Sequence, residues 1–124
     1  MPRHHDNGRH ERGAAAEHRA RLWLEQQGLH CLDAGWRCRL GELDLVMTDH
    51  TTLAFVEVRW RRAGSTIDAL MSVDPHKQRR FARAAAAWLG RHPQQAVMPA
   101  RFDVVAIDGD DIRWLRDAFT TTAW

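Results

Sequence analysis

Lysine is almost missing from this chain. Of its 18 Lys and Arg residues only Lys77 is a lysine, and the rest are arginine. Long apolar stretches are missing too: no run approaches the ~20 residues that a membrane-crossing helix needs. The opening residues, MPRHHDNGRHERG, lack the apolar core of an export signal, so a cytoplasmic location is expected. Cysteine is limited to Cys31 and Cys38, whose spacing fits no zinc motif; both read as reduced thiols. The eight histidines are scattered without a recognisable ligand pair, and read as solvated or structural. There is no internal repeat and no low-complexity segment.

What remains is an ordinary globular composition, 44% hydrophobic and 27% charged over 124 residues. That length supports one domain with one modest core. Residues 1–12 read as a disordered polar lead-in and 13–124 as the single folded domain. A formal charge of +2 does not by itself argue for nucleic acid. The arginine skew is more suggestive, because a guanidinium grips phosphate through a two-pronged fork.

Residues 14–27, AAAEHRARLWLEQQ, are strong helix formers with Ala16, Ala20, Trp23 and Leu24 on one stripe and Gly28 as the stop. A strand is expected at 29–38, and GELDLVMTD and TTLAFVEVRW read as two more, joined at Asp49 to Thr52. Residues 61–73 show no period and read as a mobile loop. Asp74-Pro75 then predicts a helix start running to about Leu89, with Phe81, Ala85, Trp88 and Leu89 buried. The strand RFDVVAI, the turn DGDD and the segment IRWLRDAF complete the chain. The order α-β-β-β-α-β-β predicts a small mixed sheet flanked by helices, an α/β (α+β) fold.

The second and third strands carry the most specific inference. A symmetric loop between them sets Asp44 opposite Glu57, Val46 opposite Phe55 and Glu42 opposite Arg59. Side chains facing across an antiparallel pair lie roughly 5 Å apart at Cβ, so two carboxylates placed there repel. A divalent cation reverses the sign, since Mg²⁺ is held by one or two carboxylates together with water and substrate phosphate. The alternative is that both carboxylates are solvated on an open face. Glu17 borders the apolar stripe of the first helix and joins them only if that helix packs against the open end of the hairpin. Arg59, opposite Glu42, also has a plain structural use in a cross-strand ion pair.

The series GAAAEHRARLWLEQQG, GWRCRLGELDLVMTD, LAFVEVRWR, the Lys77 helix and RFDVVAI resembles the YraN-like family of small bacterial proteins. It runs in order from about Gly13 to Phe119. That family is similar to archaeal Holliday-junction resolvases and belongs to the PD-(D/E)XK nuclease superfamily. The resemblance implies a restriction-endonuclease-like core, with Asp44, Glu57 and the carbonyl of Val58 holding Mg²⁺ or Mn²⁺ and Glu17 supporting them. It also implies a homodimer. The chain departs from the family pattern at Ala16, where glycine is usual, and at Arg59, where the motif has a lysine that touches the attacking water and the scissile phosphate.

The expected activity is metal-dependent hydrolysis of DNA, branched or single-stranded, with catalytic residues Glu17, Asp44, Glu57 and Arg59. Arginine can supply positive charge to a phosphate but cannot give up its proton, so a weakened rate is expected. Arg61, Arg62, Lys77, Arg79, Arg80 and Arg83 form a candidate phosphate-tracking patch. Lys77 could instead deliver an ammonium group to the site or be a solvated charge. Trp60 could stack on a base or pack under a neighbouring element. The alternatives to a nuclease are a non-catalytic nucleic-acid-binding module on the same fold and a protein-interaction domain.

Overall fold

Among the described residues the main elements are one long helix, three strands, a further helix and two further strands. The computed structural model describes residues 3–61 and 71–120, with side chains from residue 13 onward. The elements are α1 (Arg3–Gln26), β1 (His30–Cys38), β2 (Gly41–Thr48), β3 (Leu53–Trp60), α2 (Pro75–Arg91), β4 (Ala100–Asp108) and β5 (Asp111–Phe119). This is the α-β-β-β-α-β-β order expected of a restriction-endonuclease-like core. α1 begins well ahead of residue 14, so the segment expected to lack regular structure is helical from Arg3. After Pro2 that segment contains no proline to interrupt a helix.

The five strands lie in the order β1-β2-β3-β4-β5. All neighbours are antiparallel except β3 and β4, which run parallel. A parallel pair needs a crossover, and α2 lies on that connection. Central β3 and β4 are covered on both faces and so are nearly continuous apolar sequence, LAFV and FDVVAI. On one face Ala16, Ala20 and Leu24 of α1 pack on Leu45, Met47, Ala54, Val56 and Val105. On the other, Phe81, Ala82, Ala84, Ala85 and Trp88 of α2 pack on Val46, Leu53, Phe55 and Phe102. Trp23 and Leu89 are only partly buried at the margins of these layers.

α2 starts as its sequence indicates. The Asp74 carboxylate accepts hydrogen bonds from the His76 and Lys77 amides at 2.9 and 3.1 Å, and Pro75 occupies the first helical position, where no amide is needed. Its far end is fixed by Trp88, whose indole donates to Asp33 Oδ2 at 3.0 Å. Close approach of α2 to the β1–β2 turn requires Gly41, because a Cβ there would lie 3.1 Å from the Arg80 carbonyl.

A fork in the sheet as candidate active site

The β2–β3 register has the symmetric loop read from the sequence: Leu45 pairs with Val56, Val46 with Phe55, Met47 with Ala54 and Thr48 with Leu53. The ladder stops there, although β3 continues to Trp60 against β4. β2 also changes its facing at this point. Leu45 and Met47 belong to the α1 side, whereas Leu43 joins the α2 side. In a regular strand these residues would share one face, so the strand turns at Asp44, where it leaves β3.

Asp44 fills the resulting fork. Its Oδ2 accepts the Val58 amide at 2.8 Å, so a side chain supplies the bond that a β2 carbonyl would have made. Odd-numbered positions of β3 address β4, as at Leu53 N to Pro99 O and Arg61 N to Ile107 O, both 2.8 Å. Even-numbered positions therefore address β2. In an antiparallel ladder the amide and carbonyl of one residue point to the same neighbour, so the Val58 carbonyl faces the fork, beyond the last β2–β3 pair.

The fork opens into a cleft of about 700 Å³. Glu17 reaches it from α1, Asp44 and Glu42 from β2, Glu57 and Val58 from β3, and Lys77 and Arg80 from α2. The three acids named from the sequence thus share one cavity. Gly35, with φ of +63°, lies beside Glu17: a Cβ there would sit 3.7 Å from Glu17 Oε1. Trp60 packs against the α1 side of the core and lies beside the middle of α1, 3.5 Å from where a Gly13 Cβ would be.

The electrostatics of the acids differ in cause. Burial raises the Asp44 carboxyl to about 7; the Val58 amide opposes the rise, and the charges of Glu17, Glu57 and Glu42 add to it. Burial also raises Glu57, against the pull of Arg59 and Lys77, with Asp74 adding to the rise. Glu17 is raised by burial and by Glu42, against Arg37. Glu57 Oε2 is buried and has no hydrogen-bond partner among the described residues. A buried acceptor without a partner loses its hydration and gains nothing in return, so such atoms are rare in native proteins.

Two carboxylates short of compensation, with a main-chain carbonyl facing the same fork, suit a hard divalent cation that completes its shell with water and phosphate. Among the described residues no group of three or more His, Cys, Asp or Glu side chains is placed to hold a metal. The donors at the fork are therefore two carboxylates and one main-chain carbonyl, fewer than a divalent cation's full shell.

The basic residues behave unequally. Arg59 donates through Nη1 to the Ser72 carbonyl and is not among the residues lining the cleft. Its expected partner Glu42 is engaged elsewhere, 3.2 Å from Arg37 Nε in an exposed pair. The Arg59–Glu42 ion pair is absent because the strands have already parted: Glu42 pairs across to Arg37 in β1. Arg61 is bound to Asp108 Oδ2 at 2.9 Å, and Arg79 meets His76 Nδ1 at 3.0 Å. Arg83 is exposed on α2. Arg62 and most of the loop expected at 61–73 lie outside the described residues.

The sequence reading missed Asp103. This residue is fully buried, accepts from Arg101 Nε at 3.0 and 3.1 Å, from the Trp114 indole at 2.9 Å and from the Asp117 amide at 2.9 Å. The signal was the lone acid inside the apolar run RFDVVAI. Cys31 and Cys38 are free thiols, as expected. Among the described residues no helix is long and apolar enough to cross a membrane.

A family model matches residues 16–107, from the buried face of α1 through β4, including the whole fork. The chain belongs to the uncharacterised protein family UPF0102. Relatives named only as UPF0102 proteins match over nearly their full length. One from Halorhodospira halophila is 50% identical over 113 residues, covering 91% of this chain and 90% of the relative. One from Alcanivorax borkumensis is 46% identical over 112 residues, covering 86% and 90%. One from Klebsiella pneumoniae is 49% identical over 108 residues, covering 86% and 84%. UPF0102 is the family to which the YraN resemblance pointed, and the fork residues Asp44, Glu57 and Val58 all fall inside its matched region.

Proposed function

We propose that this UPF0102 protein is a Mg²⁺- or Mn²⁺-dependent nuclease that hydrolyses phosphodiester bonds in DNA with branched or single-stranded features. The observation that carries the reading is the orphaned Glu57 Oε2 sharing a cleft with the raised carboxyl of Asp44. Both acids are left in a state that a divalent cation would relieve. Asp44, Glu57 and the Val58 carbonyl would hold the ion, which when bound supplies an activated water and draws charge off the phosphate. In the reaction the water oxygen bonds to phosphorus, the bridging P–O bond breaks, and the water's proton ends on the leaving hydroxyl.

The chain's own residues have distinct tasks in this scheme. Asp44 keeps the fork open by holding the Val58 amide. Glu17, raised by burial, faces the cleft from α1 and would orient solvent beside the two ligands. Arg80 and Arg83 on α2 would track the phosphate backbone, giving binding with little sequence preference and a strong salt dependence.

The test incubates purified protein with labelled four-way, flapped and single-stranded DNA in Mg²⁺, Mn²⁺ or EDTA. Cleavage that needs metal and is lost in Glu57→Ala supports the nuclease. A second reading, a non-catalytic nucleic-acid-binding module, is favoured by the lack of a three-acid cluster among the described residues. Binding without cleavage in either metal would select it.

A further inference from the structure

We propose that Lys77, not Arg59, is the side chain that meets the scissile phosphate in this cleft, and that Arg59 is the positioning residue that sets Lys77 in place. The inference rests on the nuclease reading and names which cation serves it. Arg59 follows Glu57 by two positions on β3, yet its Nη1 donates to the Ser72 carbonyl and it does not line the cleft. That carbonyl lies two residues before Asp74, the cap of α2. The same junction is held by Gln78 Nε2, which donates to the Val73 carbonyl at 2.8 Å, and by the Asp74 cap on the His76 and Lys77 amides. Asp74 therefore caps the first turn of α2 while Arg59 and Gln78 hold the carbonyls leading into it, and the residue that turn presents to the cleft is Lys77.

The chemistry of the two cations fits this division. A guanidinium is a rigid fork, suited to holding a carbonyl. An ammonium is a compact charge on a flexible stem, able to follow a phosphate as charge builds on it. Lys77 is an exposed residue of α2 and lines the same cleft as Glu57. The helix terminus itself offers no competing anion site, because Asp74 already occupies its leading amides. In the reaction Lys77 keeps its proton and supplies positive charge to the non-bridging oxygens.

Because Lys77 is the chain's only lysine, reductive ¹³C-methylation labels one side chain besides the α-amine, and Lys77→Arg assigns it by loss of its resonance. Adding a short single-stranded oligonucleotide in Ca²⁺, to suppress cleavage, should shift the Lys77 resonance in the wild type. In Arg59→Ala the shift should be smaller. A resonance that stays put at saturating oligonucleotide overturns the proposal. In cleavage assays Lys77→Gln should lower kcat by roughly 100-fold or more, the scale of one lost charge-stabilising donor. Lys77→Arg should recover part of that loss, and Arg59→Lys should not raise the rate. A larger loss in Arg59→Gln than in Lys77→Gln would overturn the assignment while leaving the nuclease intact. Absence of cleavage by the wild type would sink the nuclease reading instead, and the resonance shift would still decide whether Lys77 meets phosphate.

Discussion

Two sets of buried acids sit in the same sheet and are treated in opposite ways. On β4, Asp103 is fully enclosed and receives donors from Arg101, Trp114 and Asp117. At the fork, Asp44 has one amide and Glu57 has an oxygen with nothing. The protein can evidently satisfy a buried carboxylate, since it does so a few residues away. The difference is therefore informative: the Asp103 network is closed and serves the fold, whereas the fork leaves acceptor capacity open for something that arrives from outside.

Mutation should separate the two sets. The largest effect is expected for Asp103→Ala, which removes the fully buried acceptor shared by Arg101, the Trp114 indole and the Asp117 amide, and leaves the Arg101 guanidinium with Asp49 alone. A loss on the order of 3–5 kcal/mol in urea denaturation is expected. A loss under about 1 kcal/mol would mean that Asp103 is not structurally enclosed and would dissolve the contrast.

Asp44→Asn probes the fork by pH. The Asp44 pKa lies at about 7 in the fold against an ordinary 3.8, so between those values the folded state binds more protons than the unfolded chain. Wild-type stability must then fall, relative to Asp44→Asn, as pH rises from 4 to 7, and level off above. Below pH 4 the acid is protonated in both states and the difference vanishes. The gain of the variant at high pH should be on the order of 2–4 kcal/mol without metal. Equal pH dependence of the two proteins would remove the claim of an uncompensated charge.

Divalent cation sharpens the comparison further. Mg²⁺ at a hundredfold excess over its dissociation constant should raise wild-type stability by about 2.7 kcal/mol, and leave Asp44→Asn and Glu57→Gln unmoved. Stabilisation that survives in both variants would place the ion elsewhere. The smallest effect is expected for Glu57→Gln on stability itself, within about 1 kcal/mol of wild type, because the replaced oxygen forms no hydrogen bond to lose. A drop comparable to that of Asp103→Ala would make Glu57 a structural residue.

The hairpin register was readable because apolar alternation and a short symmetric loop constrain it together, and Asp74-Pro75 announced α2 by local chemistry alone. Asp44 and Glu57 followed from extending that register one pair past its last rung, Leu45–Val56, where the strands no longer pair. The fork did not, because a register assumes that strands stay paired, and nothing in GELDL states where β2 leaves β3. The same assumption produced the Arg59–Glu42 pair. Arg59 finds its partner at Ser72, 13 residues along, and Asp103 finds Trp114 and Asp117 at 11 and 14. Those partners are chosen by tertiary packing and by a register shift between Phe102 and Val104, neither of which has a local pattern.

The hydrogen bond from the Val58 amide to Asp44 also gives the molecule a spectroscopic indicator of its own. A backbone amide that donates to a carboxylate changes its resonance and its exchange with solvent when that carboxylate takes up a proton or an ion. One cross-peak, from a valine whose side chain belongs to the buried core, would therefore report what occupies the fork under any condition of pH or metal.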